Sequence, residues 1–338
     1  ANRRGLTRFM LRLMMRGAGG LDHQALHGRL ERLGASIGAG ASSDQISFRL
    51  ATLSEHLDEA LGLFHTAITQ PDFAEAEAET LRKELISAWI ADREESKQLR
   101  AQEVYHEQLF GGDPAGYSSD GRLEGLRGAT VAELRAHYKA MLGGPPPLLA
   151  VLSDLPQVEV ERRVVQPLAK VGHEAQRDFP WDRFKGDTPL GRRVTIVPDP
   201  QTNTDEVLLG GFTATETDPG WHLHRLIAMI FGGDMNARLF RIVRAERGIS
   251  YGASAWYDSA QGRMPRDHRS PFSLYTFPNT DRTAEAVPLL LSLYEALVRE
   301  GVTDEELNRA RKGLINSHPF SLDSPQKQLA ARIDEALY

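Results

Sequence analysis

The first residues of the chain show a helical pattern of apolar and charged positions. Residues 5–17 (GLTRFMLRLMMRG) place an arginine stripe one turn apart beside an apolar face; the stripe is Arg8, Arg12 and Arg16, and the face is Leu6, Phe9, Met10, Leu13 and Met14. This spacing predicts a half-buried helix that ends at Gly17 to Gly19. Five arginines and no acid in the first 20 residues also match a targeting presequence, but the apolar face favours a folded helix.

The remaining pattern predicts two domains. A helix is expected over residues 131–142, followed after the proline run by a short buried strand at 148–152 (LLAVL). Residues 157–190 lack periodicity and suit a surface linker, and a strand at 193–197 opens the second half. We therefore assign residues 1–156 to a first domain, 157–190 to a linker and 191–338 to a second domain. The chain starts without Met and stops inside a predicted helix, so trimmed ends and missing flanking strands are expected.

Two motifs occur twice in the same order. The pattern G-x-S-x-G-A is present at residues 34–39 and 248–253, and LRKELISA at 81–88 matches ARKGLINS at 310–317. Between the two motifs, each half reads as strands followed by an amphipathic helix: 45–53 then 56–68, and 272–277 then 284–299. This order predicts an α+β fold of two tandem homologous α/β domains, each a mostly antiparallel sheet with helices packed on one face.

Composition narrows the class of function. The 338 residues carry a net charge of −6, which provides no basic surface for a phosphate backbone, so nucleic acid is not an expected partner. The chain has no cysteine, so disulfides, thiolate metal sites and a cysteine nucleophile are excluded. No apolar run is long enough for a transmembrane helix, so no membrane partner is expected. The compartment stays open between bacterial periplasm and cytoplasm.

Residues 5–17 resemble the helix of the insulinase and pitrilysin family of zinc metallopeptidases, which carries the inverted motif H-x-x-E-H in the same register. The two zinc-binding histidines of that motif correspond to Arg8 and Arg12, and its general base, a glutamate, corresponds to Leu11. A cation does not coordinate Zn²⁺, and leucine cannot take a proton from water. The resemblance implies a retained helix without the catalytic chemistry.

The family's third zinc ligand is a glutamate on a later helix, and by spacing its position corresponds to Trp89. The neighbours Ala88 and Ile90 offer no ligand either, and Glu84 is the nearest carboxylate upstream. Outside this region, His222 and His224 lie two residues apart at a predicted helix start, where they point to different faces. We expect no metal and no cofactor in this chain.

The resemblance continues in the second half through FGGDMNARLF (231–240) and VRAERGISY (243–251). In the family, an arginine and a tyrosine at this spacing reach the substrate around the scissile bond, and they correspond to Arg244 and Tyr251. A guanidinium and a phenol can donate hydrogen bonds to substrate carbonyls and to a developing oxyanion. The alternative without a function is a solvated arginine on a helix and a tyrosine that packs in a sheet. The equivalent residues of the first half are apolar, Leu30 and Ile37, and this difference favours a functional role for the second copy.

The family resemblance implies a non-catalytic subunit of a heterodimeric peptidase. The expected partners are a homologous subunit that holds the zinc and a peptide substrate, which is added as a strand to a sheet edge of that subunit. No activity is expected from this chain alone. The alternative is a structural subunit that resembles the core proteins of a respiratory complex and takes no part in proteolysis. A third reading, the recognition subunit of a mitochondrial processing peptidase, would need a long glycine-rich loop, and only Gly232 and Gly233 stand there.

Overall fold

The chain folds into two compact units, each of which is built from two separate segments of the sequence. The computed structural model describes residues 3–42, 45–110, 116–118, 120–143, 147–169, 171, 191, 193–200, 202–215, 217–257 and 269–337. Unit 1 comprises Ala1–Glu94 and Tyr117–Pro180, and unit 2 comprises Glu95–Gly116 and Trp181–Tyr338. The predicted domain limits at residues 156 and 190 stay predictions.

Helices make up most of both units. In chain order they are α1 Leu6–Met14, α2 His23–Arg32, α3 Leu57–Thr69, α4 Glu75–Glu95, α5 Lys97–Leu109, α6 Leu123–Gly128, α7 Val131–Leu142, α8 Gln157–Val160, α9 Gln166–Leu168, α10 Trp221–Gly232, α11 Arg238–Phe240, α12 Thr283–Glu300, α13 Asp304–Ser317 and α14 Pro325–Leu337. The described residues also form two π-helical stretches, Glu161–Val165 and Arg241–Glu246, and three 3₁₀ turns, Ser54–His56, Thr280–Arg282 and His318–Ser321. No helix in the described residues is long and apolar enough to span a bilayer.

The strands form small antiparallel sheets. They are β1 Gly17–Ala18, β2 Leu21–Asp22, β3 Ser36–Ala41, β4 Ile46–Ala51, β5 Val207–Thr215, β6 Ser250–Tyr257 and β7 Arg269–Pro278. In unit 1, β1 pairs with β2 and β3 pairs with β4, while in unit 2 the strand order is β5-β7-β6. Many helices together with small antiparallel sheets confirm the predicted α+β class for two related units.

The core of unit 1 is built around α1. Most of its apolar face is covered, since Phe9, Met10 and Met14 are 0% exposed, and this face packs against buried residues of α4 and α7. The predicted amphipathic helix is therefore confirmed, with the arginine stripe outside the buried face. Packing of this face against the core fixes the direction in which the polar positions of α1 point.

Both copies of the G-x-S-x-G-A motif begin with a glycine that adopts the same backbone conformation at a helix end. Gly34 follows α2 with φ of +57°, and Gly248 follows the π-helical stretch with φ of +58°, so each closes a helix in the left-handed conformation that only glycine adopts at low cost. The chain then enters β3 in unit 1 and β6 in unit 2. The second repeated motif lies on α4 and α13, where Leu81 and Ala310 are buried. The predicted duplication is thus visible as one repeated structural element.

One helix from the first part of the sequence belongs to the core of unit 2. On α5, the hydroxyl of Tyr105 lies 2.9 Å from the hydroxyl of Ser273 on β7. At the end of the same helix, the ring of Phe110 packs edge-on against Phe212 of β5, with centroids 5.1 Å apart. Through these contacts α5 packs against the sheet of unit 2, although α5 precedes β5 by about a hundred residues in the sequence.

Two predicted strands are absent from the described structure. Residues 148–152 and 193–197 have no strand partner among the described residues, and their apolar side chains are exposed: Leu148 50%, Leu149 42%, Val151 37%, Leu152 49%, Val194 86%, Ile196 83% and Val197 62%. The prediction was wrong because an apolar run becomes a strand only where another strand accepts its hydrogen bonds, which local sequence does not show.

The start of the predicted linker is helical. Residues 157–168 form one continuous helix of α8, a π-helical stretch and α9. Val164 is 7% exposed and packs against Leu61, Phe64 and Ile68 of α3. Apolar residues at 160, 164, 168 and 171 follow a helical spacing. Considered apart from the rest of the predicted linker, this segment therefore predicts a helix.

Candidate functional site

The three positions of the inverted zinc motif lie together in unit 1. Arg8, Leu11 and Arg12 of α1 line one pocket of about 300 Å³, together with residues 39–41 of β3 and Asp120. Leu11 is 1% exposed and belongs to the apolar core, while Arg8 is half-buried and Arg12 is exposed. One turn of helix separates the two arginines, so both guanidinium groups reach the same mouth of the pocket.

Arg8 is paired inside this pocket. Its guanidinium forms an ion pair with Asp120, and the two side chains are 34% and 26% exposed. Burial lowers the pKa of Arg8, and the nearby positive charge of Arg12 lowers it further, while Asp92 opposes the shift. An arginine stays charged despite such a shift, so the pocket holds fixed positive charge that is only partly solvated.

Trp89, at the position of the third zinc ligand, has a packing role. Its indole Nε1 donates a hydrogen bond to the carbonyl of Gly121 at 3.2 Å. The guanidinium carbon of Arg93 lies 3.8 Å from the ring centre of Trp89. Gly121 is adjacent to Asp120, so the tryptophan supports the segment that carries the partner of Arg8. Glu84, the nearest upstream carboxylate, is engaged by Arg16.

These residues do not fit a zinc ion. Two guanidinium groups, an aliphatic side chain and an indole offer no lone pair of the kind that Zn²⁺ takes from imidazole, thiolate or carboxylate. Asp120 is a single carboxylate, and it already neutralises Arg8. Among the described residues no group of three or more His, Cys, Asp or Glu is arranged to hold a metal.

The histidine pair of unit 2 lies at the start of α10. The ring of His222 contacts Trp221, with centroids 4.0 Å apart, whereas the ring of His224 faces Tyr257 at 5.4 Å. The two rings thus face different neighbours, as a spacing of two residues on a helix requires.

Arg244 and Tyr251 are in direct contact in unit 2. The guanidinium carbon of Arg244 lies 4.0 Å from the ring centre of Tyr251, on its face. It also lies 4.9 Å from the ring centre of Phe240, which precedes it by one helical turn. Stacking on aromatic faces restrains the guanidinium while leaving its N–H groups, which lie in its plane, free to donate.

The backbone explains this placement. Arg244 lies in the π-helical stretch Arg241–Glu246, where the amide of Arg247 donates to the carbonyl of Ile242 at 3.0 Å. Gly248 then reverses the chain so that β6 begins directly beside the helix end. π-helical turns are frequent at functional sites, because they shift a side chain away from the regular helical position.

The donor groups of the pair point to solvent. Tyr251 is 72% exposed and Arg244 is half-buried. Within the described residues, neither the guanidinium of Arg244 nor the hydroxyl of Tyr251 has a hydrogen-bond or ion-pair partner. In unit 1 the equivalent residues pack inward: Leu30 is 2% exposed and Ile37 is half-buried against the same core cluster. The second copy alone presents a polar pair.

Two residues of these sites were missed by the sequence analysis. Asp120 carries no local signal, since its link to Arg8 depends on the packing of a distant segment against α1. Phe240 precedes Arg244 by four residues on one helix face, so the i, i+4 rule for helical neighbours identifies it.

Fold and site together define a two-unit protein of the metallopeptidase type whose zinc positions are altered. Comparison with family models agrees: residues 1–120 match "Insulinase (Peptidase family M16)", and residues 128–314 match "Peptidase M16 inactive domain". The chain belongs to peptidase family M16.

Relatives from bacteria share nearly the whole chain at low identity. The non-peptidase homolog YmxG of Helicobacter pylori is 19% identical over 97% of this chain and 73% of its own length. The uncharacterized zinc protease YmxG of Bacillus subtilis is 18% identical over 96% of this chain and 76% of its own length. The descriptions of these relatives thus include both peptidases and non-peptidases.

Solved structures show the same fold. A peptidase M16 inactive domain from Pseudomonas fluorescens superposes with a TM-score of 0.78 at 21% identity, covering 94% of this chain and 75% of that one. A protease from Helicobacter pylori gives a TM-score of 0.81 at 15% identity, covering 99% and 80%. At such identities the structural similarity establishes the fold, whereas any activity has to be argued from the residues of the site.

Proposed function

We propose that this chain is a non-catalytic subunit of a heterodimeric M16 peptidase. In this proposal a homologous partner subunit holds the zinc ion, and this chain contributes Arg244 and Tyr251 to the bound peptide. The observation that carries the proposal is the stacked, solvent-facing Arg244–Tyr251 pair, whose donors have no partner within the described residues. The replaced zinc positions at Arg8, Leu11, Arg12 and Trp89 support the non-catalytic half of the proposal.

The chemistry of the pair suits the recognition of a peptide carbonyl. A zinc ion held by the partner subunit would supply Lewis-acid activation of water. The N–H groups of Arg244 donate to a substrate carbonyl oxygen, and the hydroxyl of Tyr251 donates to the oxygen that gains negative charge as water attacks. Contacts with the rings of Tyr251 and Phe240 restrain the guanidinium before substrate binds, which reduces the ordering cost at the reaction step.

The test is a reconstitution with a zinc-bearing M16 homologue from the same organism. The purified chain alone, the homologue alone and their mixture are assayed with a quenched fluorescent peptide library. We expect hydrolysis only in the mixture, and a loss of kcat of roughly a hundredfold for Arg244→Ala, with a smaller loss for Tyr251→Phe, as for removal of one oxyanion donor.

The matched control is Arg247→Ala, because Arg247 is an exposed arginine beside the same π-helical stretch and has no ring contact. It should leave kcat unchanged. A mixture that is active but insensitive to Arg244→Ala and Tyr251→Phe would refute the proposed role and leave the structural-subunit alternative. The same holds if the mixture forms no complex in gel filtration.

A further inference from the structure

Two histidines of unit 1 lie side by side at the start of α2. His23 and His27 are one helical turn apart, and the centres of their rings are 4.4 Å apart. Two imidazoles bound to one metal ion have ring centres roughly 4.5–5 Å apart, given a metal–nitrogen distance of about 2.1 Å. The pair therefore has nearly the spacing of a two-histidine metal site.

The carbonyl group of Met15 orients both rings. It lies 3.0 Å from Nε2 of His27, and it also acts as a hydrogen-bond acceptor for the ring of His23. When Nε2 carries the proton that this carbonyl accepts, Nδ1 of the same ring keeps its lone pair. A metal-binding histidine usually donates its other ring N–H to a carbonyl or a carboxylate in this way. Met15 thus favours the tautomer in which each ring can bind a metal ion through Nδ1.

The Nδ1 atoms of the pair are not used by the protein. Nδ1 of His23 is buried and has no hydrogen-bond partner among the described residues. Nδ1 of His27 makes no hydrogen bond within the same part of the chain. A buried polar atom without a partner destabilises the folded state, and coordination to a metal ion would satisfy its lone pair.

The charges near the pair permit a cation to bind. Burial lowers the pKa of His23, and the nearby His27 and Arg16 lower it further, so the ring is neutral at neutral pH, as a metal ligand must be. Glu77 of α4 opposes this shift, so its carboxylate is close enough to attract a cation. Arg16 is paired with Glu84 and, at 3.8 Å, with Glu77, which offsets its positive charge.

We propose that His23 and His27 together bind one divalent transition-metal ion of the class that prefers imidazole, such as Zn²⁺, Ni²⁺ or Cu²⁺. Both side chains are half-buried, so water can complete the coordination. By fixing both rings, the ion strengthens the contact of α2 with Met15 at the end of α1. The site departs from the metal-free chain that the sequence predicts, because spacing along the chain does not show that both rings meet one carbonyl.

The site is independent of the proposed role of Arg244 and Tyr251. All of its residues belong to unit 1, and none of them lines the pocket of Arg8 and Arg12. Binding is measured on the chain alone, without a partner subunit and without a substrate. Failure of the site would leave the proposed role untouched, and a failed reconstitution would leave the site untouched.

Isothermal titration calorimetry of the untagged chain with Zn²⁺ and with Ni²⁺ at neutral pH tests the site. The chain has 11 histidines, so variants have to separate this pair from the others. His23→Gln and His27→Gln should each weaken binding at least tenfold, a loss that even removal of a residue behind a metal ligand causes. Glutamine keeps an N–H that can donate to the carbonyl of Met15, so folding should be preserved. Mg²⁺, which prefers oxygen ligands, should not bind.

The matched control is His222→Gln. His222 and His224 are also close in sequence, but their rings face different neighbours, so this variant should bind both ions like wild type. Thermal unfolding provides a second measurement, and melting without metal checks that each variant is folded. Zn²⁺ should raise the Tm of wild type and of His222→Gln more than that of the two α2 variants, because a ligand of the folded state stabilises it.

Three results would overturn the proposal. The first is no binding of Zn²⁺ or Ni²⁺ to the wild-type chain. The second is equal affinity of wild type, His23→Gln and His27→Gln, which would assign the bound ion to other residues. The third is a rise in Tm with Zn²⁺ that is as large in the folded α2 variants as in wild type.

Discussion

The ion pair between Arg238 and Glu306 allows a quantitative test of how unit 2 is held together. Arg238 of α11 donates through Nε and Nη2 to the two carboxylate oxygens of Glu306 at 2.9 and 2.7 Å, and both side chains are 13% exposed. Glu306 also closes the capping box of α13 by accepting from the amide of Thr303 at 2.9 Å. One side chain therefore joins two helices and caps one of them.

The magnitude follows from the pKa of Glu306. The hydrogen bonds from Arg238 are the largest cause that lowers this pKa from 4.5 to about 2, and burial opposes them. Each pKa unit corresponds to about 1.4 kcal/mol, which gives an upper value of roughly 3 kcal/mol for the folded state at neutral pH. Since water at the partly exposed edge screens the pair, we expect about 2 kcal/mol to be lost in Glu306→Gln.

The pH dependence has a defined sign. Because the folded-state pKa of Glu306 is lowered, its stabilisation is complete above the unfolded value of 4.5 and disappears as the pH falls toward about 2. Urea unfolding followed by circular dichroism, at pH 7, 4 and 2.5, should show a large difference between wild type and Glu306→Gln at pH 7 that shrinks steadily at lower pH.

The control is Glu335→Gln, which removes a carboxylate from an exposed i, i+3 pair with Arg332 on α14. It should leave the urea midpoint unchanged at every pH, as is usual for exposed pairs. A Glu306→Gln difference that is absent at pH 7, or that stays constant between pH 7 and 2.5, would refute the assignment of this energy to the ionised pair.

Three further changes test other contacts. Leu134→Ala should destabilise unit 1 by about 2–5 kcal/mol in urea unfolding, because Leu134 is 0% exposed, whereas Leu148→Ala at a 50% exposed position should have little effect. Tyr105→Phe should cost about 1 kcal/mol by removing the 2.9 Å hydrogen bond to the buried Ser273, and an unchanged midpoint would contradict that contact. Gly121→Ala should lower the melting temperature, since Gly121 has φ of +75° and an added Cβ would overlap Gly5.

Much of the protein was readable from its sequence. The amphipathic pattern of α1 identified a core helix, because a 3.6-residue period is a property of neighbouring residues. The repeated glycines, Gly34 and Gly248, identified the duplication, because a left-handed helix end demands glycine wherever it recurs. The identities of Arg8, Leu11 and Arg12 alone excluded their use as zinc ligands or base, since that follows from side-chain chemistry.

Tertiary structure decided what depends on distant partners. The strands expected at residues 148–152 and 193–197 were lost because no described strand accepts their hydrogen bonds. The pairing of Asp120 with Arg8 and the contact of Arg244 with Tyr251 arise where separate segments meet. A sequence fixes which groups are available and their local period, but only long-range packing determines which groups face each other, because contact energies depend on distance in space.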